Sequence, residues 1–115
     1  MAARASRWSR RRGCEPLTSK SEISQEHLAK YLSLTEKAIK KLKISVPKRS
    51  YLMQLAEDFL EMAESYSSDA KRFAKEGNLV NAFACINYAH GWLDCGARMG
   101  LFDVGEDDQL FTLYE

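Results

Sequence analysis

At 115 residues and 45% hydrophobic content, the chain has the length and composition of one small globular domain. Its 17 Lys and Arg nearly balance 16 Asp and Glu, so net charge singles out no class of partner. No run approaches the ~20 apolar residues of a membrane helix, and no apolar stretch near the start resembles a secretory signal, which leaves a cytoplasmic protein as the expectation.

Residues 1–20 read as a basic extension. Met1–Gly13 carries Arg4, Arg7, Arg10, Arg11 and Arg12 with no acid and no apolar period, so a solvated, disordered tail is expected. The functional alternative is an arm for nucleic acid. Cys14, Cys85 and Cys95 are odd in number and form no CxxC pair, which fits reduced thiols.

Residues 21–102 read as the folded domain. The first predicted helix starts at a Ser19-x-x-Glu22 capping box or at Ser24, and runs to about Lys43. Leu28, Tyr31, Leu32, Thr35, Ala38, Ile39 and Leu42 share one face. Val46-Pro47 stops it, because the residue before a proline disfavours the α conformation. Around this break Lys37, Lys40, Lys41, Lys43, Lys48 and Arg49 form a candidate basic patch at one bundle end. No aromatic residue interleaves them, so a solvated corner is the simpler reading than a nucleic-acid surface.

Tyr51–Glu76 is the clearest helix by pattern, capped by Ser50 or by Ser45. Leu52, Phe59, Tyr66 and Phe73 recur every seven residues, with Ala56, Ala63 and Ala70 between them. Gly77 suits the helix end and Asn78 the start of the next. So short a connection makes the two helices antiparallel neighbours. Asn81–Leu101 then reads as a third helix. Ala82, Ile86, Ala89, Leu93 and Gly96 form a small central stripe, flanked by the bulkier Tyr88, Trp92, Cys95 and Met99. Ala82, Ala89 and Gly96, seven apart, match the alanines of the second helix. The expected fold is therefore all-α: a small three-helix bundle built on a close-packed antiparallel hairpin, with Phe59, Tyr66, Phe73 and Trp92 filling space against the first helix. Residues 103–115 read as a tail, an acidic turn followed by apolar Leu110-Phe111-Thr112-Leu113-Tyr114, which is expected to fold back on the bundle or to meet another subunit.

The run Tyr88-Ala89-His90-Gly91-Trp92-Leu93-Asp94, followed by Gly96, Arg98 and Gly100-Leu101-Phe102, resembles the signature of domain-of-unknown-function family 357. The resemblance implies a compact helical bundle from short archaeal proteins and carries no biochemical activity. A looser similarity to HEPN nuclease domains brings none either, since no arginine stands four to six positions before His27 or His90.

Candidate chemistry centres on the third helix, where Asn87, His90, Asp94 and Arg98 form a polar stripe at (i, i+4) spacings. The sharp reading makes His90 a general base oriented by Asp94. The plain one makes the stripe a polar tie to a neighbouring helix or subunit, and is favoured because no nucleophile or phosphate loop accompanies the pair. No metal site and no cofactor are expected, because the two histidines lie on different helices and no ligand motif joins them. The expected function is self-association, with a dimer as first guess, or docking of a protein partner, without catalysis. Nucleic-acid binding through the arginine arm and basic patch is the first alternative; small-molecule binding or catalysis at His90 and Asp94 is the second.

Overall fold

The computed structural model describes residues 22–105, 107, 110 and 111. The arginine-rich arm, Cys14, the Ser19 capping alternative, and most of the acidic and apolar C-terminal residues lie outside these. Among the described residues the fold has three helices, α1 (Gln25–Lys41), α2 (Tyr51–Lys75) and α3 (Leu79–Arg98), with a two-residue antiparallel pairing of β1 (Lys43–Ile44) and β2 (Phe102–Asp103). The all-α bundle anticipated from the sequence is the observed one.

Each helix starts where a side chain can accept from its free first-turn N–H groups. Ser24 accepts from His27 N at 3.1 Å, Ser50 from Met53 N at 3.1 Å, and Asn78 from Asn81 N at 3.3 Å. Ser24 and Ser50 are thus the caps among the alternatives the sequence left open. Two helices stop at glycines with positive φ, Gly77 at 82° and Gly100 at 80°. Both ends carry the paired bonds of a Schellman motif: Asn78 N to Phe73 O and Gly77 N to Ala74 O, then Leu101 N to Gly96 O and Gly100 N to Ala97 O. Gly100 ends α3 at Arg98, three residues before the end expected from periodicity.

Among the described residues the α2–α3 hairpin is the densest contact. Ala56, Ala63 and Ala70 on α2 and Ala82 and Ala89 on α3 are all fully buried. Side chains this small let two helix axes approach toward the near end of the usual 8–10 Å range. α1 lies across the hairpin and buries Leu28, Tyr31, Thr35 and Ala38, positions spaced three and four apart on one face. Glu36 on α1 pairs with Lys71 on α2, and that pairing holds the Glu36 carboxyl below its usual range. Both partners are about half exposed, so the pair adds little stability, and that little is lost as pH falls through the lowered Glu36 value.

Two expectations need correction. Gly96 does not extend the alanine seam alone: its bare backbone receives the ring of Phe102, and a Cβ at 96 would overlap that ring. The aromatic residues also divide differently. Phe73 packs on the cluster with Leu28 and Tyr31 of α1, and Phe59 and Trp92, 5.0 Å apart, pack on the one with Ala38 of α1, as expected, whereas Tyr66 instead meets Tyr88, with ring centroids 4.7 Å apart. Phe83 also lies against α1, 5.2 Å from Tyr31 and 5.6 Å from His27. Phe83 and Tyr88 sit on opposite sides of the buried Ala82–Ala89 stripe, so one side of α3 faces α1 and the other faces away.

The core predicts contrasting effects of small substitutions. Ala63→Leu or Ala89→Leu should lower stability by about 1–3 kcal/mol through overpacking, measured by denaturant unfolding. Two helical glycines should respond with opposite signs. Gly91→Ala meets no atom within 4 Å and should stabilise by about 0.5–1 kcal/mol, the usual gain from replacing glycine in a helix. Gly96→Ala should destabilise despite the same propensity gain, because Phe102 must move.

Candidate functional site

The polar side of α3 is sealed. His90 is 4% exposed and Asp94 7%. The His90 Nε2 lies 2.5 Å from the Leu110 carbonyl, and Nδ1 lies 3.1 Å from the Thr35 hydroxyl. A carbonyl oxygen can only accept, so Nε2 carries the proton, and in the neutral ring Nδ1 accepts from Thr35. Asp94 Oδ1 is 3.8 Å from Nε2. The Phe111 ring, 1% exposed, packs at 6.3 Å from the imidazole. His90 therefore ties three pieces of chain together: α1, α3 and the segment beyond β2.

That segment is locally held. Phe102 and Val104 point into the core while Asp103 points out, the alternation of an extended strand. Ser45 N donates to Leu101 O at 3.0 Å, extending the β1–β2 pairing by one bond. Asp107 accepts from Leu110 N at 3.0 Å and pairs with Lys41 at 2.7 Å. Leu110 and Phe111 thus fold back onto the bundle, the first of the two arrangements the apolar sequence allowed; Thr112–Glu115 are outside the described residues.

The candidate stripe is split by this arrangement. His90 and Asp94 are brought together and buried, and Arg98 is half-buried. Asn87 stands apart on the surface, where its side-chain amide donates to Phe83 O at 3.0 Å. Lys37, Lys40, Lys41, Lys43, Lys48 and Arg49 are all exposed. Two of the six lie beside acids: Lys41 pairs with Asp107, and Lys43 lies opposite Asp103 in the strand register. Among the described residues no group of three His, Cys, Asp or Glu side chains could hold a metal ion.

The other side of α3 is open and apolar. Tyr88 is 51% exposed and Met99 54%, and Cys95 is exposed beside them. Tyr88, Gly91, Trp92 and Cys95 line a shallow depression on this face. The Trp92 ring is edge-on to both Phe59 and Tyr88, while its indole N–H is buried with no acceptor among the described residues. Cys85, nearer the helix start, has its thiol pushed up by burial and by Asp69, with Arg72 opposing. Its thiol form is favoured, so Cys85 is a poor nucleophile.

Sequence reasoning missed Thr35, Leu110 and Phe111 as partners of His90. The available signal was Thr35 itself, a hydroxyl on the apolar stripe of α1, which implies a buried polar partner.

The fold and site define a small helical bundle with one polar side closed by its own chain and one aromatic side left open. A family model described as "Protein of unknown function (DUF357)" matches residues 30–102, and the chain belongs to that family. No curated protein and no solved structure matches.

The His90 tie predicts two losses. Thr35→Val, equal in shape, should cost about 1–3 kcal/mol by leaving a buried ring nitrogen without its partner. Phe111→Ala should cost about 3–5 kcal/mol, as for other buried aromatic residues. Thermal unfolding followed by circular dichroism reads both; an unchanged midpoint for Phe111→Ala would place the segment outside the core.

Proposed function

We propose that this chain is a non-catalytic docking module whose working surface is the open aromatic side of the α2–α3 hairpin. The observation that carries the reading is the exposure of Tyr88 and Met99 beside the depression at Gly91. Contiguous apolar surface rimmed by polar residues marks interaction sites more often than isolated exposed side chains do. Tyr, Trp and Met are also the residue types enriched where proteins meet.

The geometry at His90 supports the non-catalytic part. Both ring nitrogens are engaged with the chain's own atoms, and the described depression lies on the opposite side of α3. A general base must reach a substrate proton, and His90 is covered by Phe111. Small-molecule chemistry at His90 and Asp94 would require that segment to leave. The nucleic-acid alternative draws less support from the basic patch, where a polyanion would compete with Asp103 and Asp107 for Lys43 and Lys41. The free Cys85 and Cys95 favour a cytoplasmic setting. No helix among the described residues is long and apolar enough to cross a membrane.

The test is a Tyr88→Lys/Met99→Lys double variant of the full chain, compared with the unaltered protein in co-purification and light scattering. Both side chains are half-exposed, so the melting temperature should stay within a few degrees. Association, with itself or with another protein, should disappear. Association that survives the change, or a collapse of the fold, would contradict the reading.

A further inference from the structure

We propose that the open aromatic side is covered by a second copy of this chain, in a two-fold dimer whose α3 helices cross near Gly91. The inference rests on the docking reading above and names its occupant.

The first observation is charge. From Leu79 to Leu93, α3 contains no Asp, Glu, Lys or Arg. Yet Val80, Asn81, Ala84, Asn87, Tyr88 and Gly91 are all exposed. The outer face of a helix on a globular protein normally carries charged residues. A two-fold axis sets each surface against its own copy, so any charge near the axis meets a like charge. A charge-free stripe meets itself without repulsion. A different partner would impose no such restriction, since its own charges could be opposite.

The second observation is Gly91. Its backbone is helical, it lies on the surface, and a Cβ built there meets nothing within 4 Å. Nothing in the described fold uses the missing side chain, although glycine in a helix interior lowers stability. Its bare backbone is the floor of the depression between Tyr88, Trp92 and Cys95. A notch of that kind on an outer face lets another helix approach closely, with the aromatic and sulfur side chains closing around it.

The third is area. At 1.5 Å per residue a 20-residue helix is about 30 Å long, and α2 lies roughly 8–10 Å beside it. The charge-free strip is the outer surface of α3 alone, about 30 by 10 Å, because the exposed residues of α2 include Glu57, Asp58 and Glu61. Covering it in both copies would bury on the order of 600 Å² in total, the size of a weak contact, so the dimer should form toward the upper end of the micromolar range.

The experiment uses the purified full chain with no other protein present. Sedimentation and light scattering are followed from about 1 µM to 1 mM, the range bracketing an interface of this size. The mass should rise from 13.1 kDa toward twice that value. Tyr88→Glu sets two carboxylates across the axis and should weaken the dimer about tenfold or more. Gly91→Gln fills the notch without adding charge and should do the same. Both variants should keep the helical circular dichroism of the unaltered chain. A 13.1 kDa species at every concentration, or a dimer indifferent to both changes, would overturn the proposal. If the chain is monomeric alone but still holds a different protein in a Tyr88-dependent way, only the second-copy inference falls. If neither association exists, the docking reading falls with it.

Discussion

The close approach of α2 and α3 is the constraint on which the rest of the structure depends. Ala56, Ala63 and Ala70 face Ala82 and Ala89 from two helices joined by three residues. Methyl groups in the seam leave no room for large side chains between the axes. Those side chains are displaced to the two flanks of the hairpin, and each flank needs a cover of its own. Hydrophobic burial is what drives both coverings, at roughly 25 cal/mol for each Å² removed from water.

The flanks are treated differently. On one, α1 lies over Phe83 and Ile86, and the segment beyond β2 seals His90 and Asp94 beneath Leu110 and Phe111. A buried polar residue is costly unless its hydrogen bonds are met. His90 meets that condition by drawing its partners from α1 and from the C-terminal segment, which fixes how both sit on α3. On the other flank Tyr88 and Met99 are left half in water, while Phe59 and Trp92 reach the core. Phe59, Tyr66, Tyr88 and Trp92 pack edge to face on one another. A core this small gains from a further apolar layer, because small domains bury a low fraction of their surface. The structural asymmetry and the proposed docking role thus share one origin in the alanine seam.

Much of this was legible in the sequence because it is local or periodic. Ser24, Ser50, Asn78 and Gly77 act within a few residues of themselves, and the seven-residue alanine spacing reports which faces meet. The bulky stripe of Tyr88, Trp92, Cys95 and Met99 was also readable as surplus apolar surface. What periodicity does not encode is pairing across long separations. The contacts of His90 with Thr35 and Leu110 span 55 and 20 residues, and no spacing rule joins them. Gly96 was read as part of the seam because a glycine's neighbour cannot be inferred from its own size. The two-residue strands were too short for any alternation to show. The candidate stripe failed as a unit for a geometric reason: Asn87 and Asp94, seven residues apart, share a face, but Leu110 and Phe111 cover α3 at the level of His90, so Asn87 one turn earlier reaches water.

The most direct test of the seam is the solvent exposure of individual alanine methyl groups. With methyl-labelled alanine, a soluble paramagnetic agent relaxes each signal according to its distance from water. Ala63, Ala70 and Ala89 are fully buried, and their methyl signals should be spared, with cross-peaks running between α2 and α3. Ala29, exposed on α1, should be strongly relaxed in the same sample. Relaxation of Ala63 or Ala89 to the level of Ala29 would mean that the two helices do not meet through their small side chains, and the open aromatic side would lose its physical basis.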